Sequence, residues 1–394
     1  MDTLVSYINA AILAGETMDV LENSSMIVRD GTILGFGSPP EHSEVVDMQG
    51  CLLCPMFING HTHIGDTGAK DLGIGLSLEE SVIPPDGLKH RFLSTLDRET
   101  HISMMRHGMI EMLQAGTIAF ADFREQSIEG ARRLSEAADG LPIQPVILGR
   151  LKENQPLEQT LSEAEQLLEI ADGLGIRDVT AHSPETMRRL RQEYPEAVFA
   201  VHAAEGLEEE LSSRETEGRG QVARALEWNT DILVHLVHAS PDELRQAADQ
   251  DVFAVHCPRS NCIIGDGIAP LSAWEDIGLE YSLGTDNMMF CSPDMLREMD
   301  FASRLGRGTN MDPTAVDSRK ILQAATINGA RMLKLEDQLG SLSPGRDASF
   351  IVFDMNTPNL RYSHDPVNSI VHRADTKDIE SIYIKGIPLD IGLE

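Results

Sequence analysis

His61 and His63 stand two residues apart in the run Phe57-Ile58-Asn59-Gly60-His61-Thr62-His63. On a strand the side chains alternate, so both imidazoles point to one face. Two imidazoles on one face can grip a single metal ion at about 2.0–2.1 Å each. The apolar run Leu52–Ile58 reads as a buried strand that delivers the pair to its exposed end. Further on, Val201-His202-Ala203-Ala204-Glu205 again ends an apolar run in histidine, with an acid close behind. A metal ligand beside a free carboxylic acid suits hydrolysis. The metal lowers the pKa of a water, and the acid handles the substrate's proton. In Leu233-Val234-His235-Leu236-Val237-His238 the two histidines would face opposite sides of a continuous strand. His235 directly ends the apolar run and is the one expected to point into a site; His238 is left a supporting role. Leu283-Gly284-Thr285-Asp286-Asn287 brings a carboxylate to a strand end. There it can bind metal and also accept a proton from water.

Something must hold these groups together, and the middle of the chain supplies it. Eight apolar runs alternate with helical stretches: Cys54–Asn59, Thr117–Phe123, Gln144–Leu148, Asp178–Ala181, Ala197–Val201, Ile232–Val234, Val252–Val255 and Leu279–Leu283. The expected helices include Arg98–Ala115, Gln159–Leu174 and Asp242–Asp249. Each run leads to a residue that could carry chemistry: His61 and His63, then Arg124, Arg150, His182, His202, His235, His256 and Asp286. A (β/α)8 TIM-like barrel builds its active site at the C-terminal strand ends, which fits this order. No glycine-rich nucleotide-binding fingerprint follows a strand. Both ends of the chain read instead as short strands and turns, with Asp30-Gly31 as a hairpin turn. The expected architecture is α/β: a barrel over residues 55–338, and a small β-sandwich domain formed from residues 1–54 and 339–394.

Composition narrows the partners. The chain has 394 residues and a formal net charge of −31, from 63 acidic and 32 basic residues. Such a body repels nucleic acid and anionic membranes, so neither is expected as a partner. No apolar run reaches the roughly 18 residues of a membrane span. The start, Met1-Asp2-Thr3-Leu4, shows no secretory pattern, and there are only five cysteines. A cytoplasmic location is therefore expected. Cys51 and Cys54 enclose two leucines within an apolar run, which fits core packing better than a zinc knuckle.

Taken in order, HTH at 61–63, HAAE at 202–205, HLVH at 235–238, HCPRSN at 256–261 and GTDN at 284–287 resemble the metal-dependent amidohydrolase superfamily. The similar branch holds cytosine, guanine and S-adenosylhomocysteine deaminases and the triazine chlorohydrolases. The resemblance covers essentially the whole chain. It implies that His61, His63, His202 and Asp286 bind one divalent ion per chain, zinc or iron. It implies that Glu205 and His235 transfer protons, with Asp286 helping to deprotonate the water. His182 stands where two-metal relatives carry a lysine, which implies a mononuclear site. The implied activity is hydrolytic deamination of a heterocyclic amine: a purine, pyrimidine or pterin-like base or nucleoside. Hydrolysis of another bond on the same scaffold, as in a chlorohydrolase or cyclic amidase, is the alternative; a non-catalytic relative is the third reading.

The substrate side follows the resemblance less closely. Ser81 stands where the nucleoside deaminases carry a tryptophan, and Asn287 replaces a more usual glycine. Arg124 has two readings, a salt bridge to Glu125 or a fork for a substrate carbonyl or carboxylate. Arg150 is expected to contact substrate. His182 is expected either to do so or to sit buried in support. The partner expected is a small molecule, with the chain as a homo-oligomer, a dimer first among the options.

Overall fold

The computed structural model describes residues 3–390. Its centre is a parallel sheet that closes into a barrel. The strands are Phe57–His63, Thr117–Arg124, Gln144–Gly149, Gly173–Ile176, Val198–Ala203, Ile232–His235, Phe253–His256 and Tyr281–Leu283. Each pairs in parallel with the next. The eighth resumes after two residues as Asp286–Asn287, which pairs with Thr62 and His63 of the first strand and closes the circle. Every residue of the first, second, fourth, fifth and sixth strands is buried. Strands walled on both sides need such unbroken apolar runs, and helices supply the outer wall.

Seven of the eight expected strands lie where the apolar runs place them, with ends moved by a few residues. The fourth does not. It spans Gly173–Ile176, and the expected strand Asp178–Ala181 is the turn that follows. The expected helix Gln159–Leu174 is also too long: it runs Leu157–Leu168. The cause is glycine. A Cβ on Gly173 would lie 2.2 Å from the Val198 carbonyl oxygen, and one on Gly175 would lie 2.7 Å from the Leu148 carbonyl oxygen. Neighbouring backbones approach too closely for side chains there, so the segment carries little strand pattern. In consequence Arg177, not His182, follows the fourth strand.

The second sheet joins both ends of the chain. Leu4–Ala14 pairs with Asp19–Arg29, with Glu44–Asp47 and with Leu52–Pro55; the last pairs with Phe350–Phe353. Between Glu44–Asp47 and Leu52–Pro55 the chain turns, and the Cys51 N–H donates to Met48 O at 2.8 Å. The sheet curls until Thr32 bridges Asp347. Alternation sorts its residues into two cores. Leu53, Phe350 and Val352 pack with Tyr7, Met26 and Ile33 inside the curl. Leu52, Cys54, Ile351 and Phe353 face the barrel and join its core. The expected hairpin turn holds, with Asp30 at φ 49° and Gly31 at φ 81°.

Candidate active site

His61 and His63 leave the first strand on one face, as the period-two argument requires. His61 Nε2 lies 3.2 Å from His202 Nε2 and 3.2 Å from Asp286 Oδ1. His63 Nε2 lies 3.5 Å from the same oxygen. His235 offers a ring nitrogen within 4.8 Å of donor atoms of His61 and His202. All five side chains are at least nine-tenths buried. Three strand ends therefore meet the closing strand at one point.

The outer nitrogens of three of the rings fix which way those rings face. His202 Nδ1 lies 2.9 Å from Arg177 O, and His63 Nδ1 lies 2.9 Å from Glu125 Oε1 and 3.3 Å from Phe123 O. His235 Nδ1 lies 2.9 Å from Asn261 Oδ1. Those partners accept, so each Nδ1 carries the proton and each Nε2 turns a lone pair inward. Burial pushes the imidazoles down, His63 to about 3, and so keeps them neutral. Ser260 Oγ donates to Asp286 Oδ2 at 2.6 Å, while Asp286 Oδ1 has no hydrogen-bond partner among the described residues. Inward lone pairs beside a bare carboxylate oxygen repel one another unless a cation lies between them. Three imidazoles and one carboxylate are a donor set that suits a divalent metal. His235 at φ 81° and Asp286 at φ 60° occupy left-handed backbone conformations that side chains seldom adopt. Such strain is held where surrounding packing demands it.

Glu205 borders this cluster, with Oε1 3.4 Å from His235 Nε2. Burial first, and the Asp286 charge second, push its carboxyl well above the usual range. A neutral carboxyl group can donate a proton. A cavity lies above, with Lys89, Arg150, Arg177, Asp178 and Asn287 among its walls.

Of the three expected substrate contacts, Arg150 lines this cavity. Its nearest ionic partners, Glu153 Oε1 and Glu125 Oε1, stand off at 3.6 Å and 3.9 Å. Arg124 does not reach the cavity. It is wholly buried beneath the floor, bonded to Glu125 and 3.2 Å from Asp122. Of its two readings the salt bridge is the one observed, because neighbouring carboxylates take up its charge. His182 is half-buried in a separate recess behind Arg150 and Arg177. His256 joins no cluster of ligand atoms among the described residues and stands edge-on to Trp274. His238 Nε2 meets Asp266 O at 2.8 Å, a supporting role.

Sequence reasoning missed four neighbours. Lys89, on the helix Leu88–Thr95, is buried and ion-paired with Glu125. Glu125 in turn holds His63, and burial is outweighed by Lys89 and Arg124, which keep its carboxyl well below the usual range. Ser260 and Asn261 were visible inside HCPRSN, and their place beside two strand-end groups was the available signal. Nothing local marks Lys89.

Residues 52–388 match the model of the amidohydrolase family. A protein of Methanothermobacter thermautotrophicus, named provisionally as an aminohydrolase, is 33% identical over 385 residues, covering 96% of this chain and 97% of its own. The 5-methylthioadenosine/S-adenosylhomocysteine deaminase of Acetivibrio thermocellus is 27% identical over 93% of this chain and 89% of its own. A zinc-bound adenosine deaminase structure from Xanthomonas campestris superposes with a TM-score of 0.84 at 20% identity, over 98% of this chain and 92% of that one. This chain belongs to the amidohydrolase family.

Proposed function

We propose that this protein is a metal-dependent hydrolytic deaminase of a heterocyclic amine. The observation that carries the reading is the inward convergence of His61, His63, His202 and Asp286 with Glu205 at their border. These four residues would hold one divalent ion, zinc or iron. Such an ion supplies the positive charge that makes a water nucleophilic near neutral pH.

The chain's own groups do the rest. Asp286 and His235 accept the water's proton; His235 is turned toward the site by Asn261 and Asp286 is held by Ser260. Glu205 protonates a ring nitrogen of the substrate, which makes the adjoining carbon electrophilic. Water's oxygen bonds to that carbon, the proton taken up by Asp286 and His235 passes to the amino group, the carbon–nitrogen bond breaks to release ammonia, and the new hydroxyl's proton returns Glu205 to its acid form. A neutral heteroaromatic amine needs this acid, and burial keeps Glu205 protonated to serve. Arg150, held only by long ion pairs to Glu153 and Glu125, lines the cavity and offers a guanidinium fork to a substrate carbonyl or carboxylate. The named relatives favour a purine nucleoside of the 5-methylthioadenosine type within this class.

An ammonia-release screen tests the reading. Purified protein of measured metal content is offered 5-methylthioadenosine, adenosine, guanine, cytosine and an aminopterin ring. Release from at least one, abolished by chelation and restored by zinc or iron, is expected. Hydrolysis of chlorinated or cyclic-amide counterparts with no ammonia from any amine would overturn it.

A further inference from the structure

Gln221 opens the helix Gln221–Leu226 and lines the catalytic cavity, yet the reaction above gives it no part. It is 5% exposed. Its Oε1 accepts the Ala204 N–H at 2.7 Å. A backbone N–H can only donate, so the amide cannot be turned the other way round. Its own backbone N–H donates to Glu210 Oε2 at 2.9 Å, which ties the main chain as well. The Nε2 end has no hydrogen-bond acceptor among the described residues, and it is not sealed inside the protein.

The site thus contains a held donor with nothing to donate to. Its anchor, Ala204, immediately precedes Glu205. Three other donors of the cavity wall are already taken up, Lys89 by Glu125, Arg177 by Glu153 and Asp178, and Asn287 by Asp66, while Arg150 differs in carrying a charge. Gln221 is neutral, so it suits an uncharged acceptor. A substrate that left this N–H unanswered would bury it at a cost, whereas one carrying an acceptor would not.

We propose that Gln221 is a specificity-determining residue, whose Nε2 donates to a second acceptor on the substrate ring. That acceptor is a ring nitrogen or ring carbonyl other than the nitrogen Glu205 protonates. The inference rests on the deaminase reading and adds to it a required substrate feature: rings with one acceptor are disfavoured against rings with two. The competing role is support alone, in which Gln221 merely holds Ala204 at its φ of 52°.

The test is a substrate-by-residue cycle on the metal-loaded enzyme. The best amine from the screen is compared with analogues in which each other ring nitrogen becomes C–H, or each ring carbonyl is removed. For wild type, one analogue should lose about tenfold in kcat/KM, mainly through KM, the scale of one hydrogen bond. Gln221→Glu keeps an oxygen for Ala204 but replaces the donor by an acceptor. It should lose about tenfold or more on the parent and nothing further on that analogue, with metal content unchanged. Gln221→Met gives the same cycle should the added carboxylate disturb the loop. Equal losses on the parent and all analogues would reduce Gln221 to support and overturn the inference. So would a wild type indifferent to every analogue. A wild type that releases no ammonia from any amine defeats the deaminase reading itself, and that is seen before any variant is made.

Discussion

Two buried polar clusters lie side by side at the C-terminal end of the barrel, and they are built on opposite principles. In one, Arg124 and Lys89 pair with Asp122 and Glu125, so cations and anions answer each other. In the other, His61, His63, His202 and Asp286 bring ligand atoms to a shared point, and the Asp286 Oδ1 oxygen has no hydrogen-bond partner among the described residues. The first is balanced in charge as folded. The second is complete only with a cation. Burial of polar groups alone does not mark a functional site; the lack of internal compensation does. The two meet at Glu125, which accepts from His63 and pairs with Lys89.

That contrast can be broken most severely at the incomplete cluster. His61→Ala or His202→Ala should remove most of the metal, read by elemental analysis, and lower turnover by about 10³-fold or more. Glu205→Gln should retain metal while turnover falls by ~10² or more, because shape is kept and the proton is lost. Unchanged turnover would place Glu205 outside the reaction. Ser260→Ala and Asn261→Ala release the partners that orient Asp286 and His235. Each should weaken metal affinity or activity by about 10–100-fold, as for other groups that orient metal ligands.

The self-compensated cluster should respond in a different currency. Arg124→Met strands the buried Asp122 carboxylate and leaves Glu125 to Lys89 alone, so denaturant unfolding should show a loss of about 3–5 kcal/mol. The kcat/KM of the folded fraction should stay near wild type, since Arg124 does not reach the cavity. A large rise in KM at unchanged stability would return Arg124 to the substrate. The smallest effect concerns His256, whose imidazole burial pushes down to about 3. Its folded pKa lies below the unfolded value of about 6.5, so the unfolded chain binds the extra proton as pH falls. Its contribution is present above about pH 6.5 and declines below it, by roughly 1.4 kcal/mol per pH unit. His256→Asn should flatten the pH dependence of unfolding between about pH 6.5 and 5 by that amount.

The chemistry was legible in the sequence where a strand announces itself and ends in a reactive side chain. An apolar run followed by histidine places His61, His63, His202 and His235 at strand ends, while their separate roles came from the family resemblance. The fourth strand escaped because Gly173 and Gly175 give it almost no side chains to pattern. Its loss moved the expected strand end from Arg177 to His182. Asp286 shows the middle case: its type and place were readable, but its backbone leaves regular strand geometry at φ 60°.

What the sequence determined by itself was periodicity: which residues share a face, which runs are buried, and the order in which reactive groups leave the strands. What only the tertiary structure decided was pairing between distant segments. Arg124 and Arg150 both sit at strand ends, yet one is taken up by Asp122 and Glu125 and the other faces the cavity. Lys89 reaches Glu125 from a helix, and Gln221 reaches Ala204 from another. Local pattern sets where a side chain points relative to its own backbone. Whether its charge or N–H is already satisfied depends on which neighbour the closed barrel brings within hydrogen-bond reach.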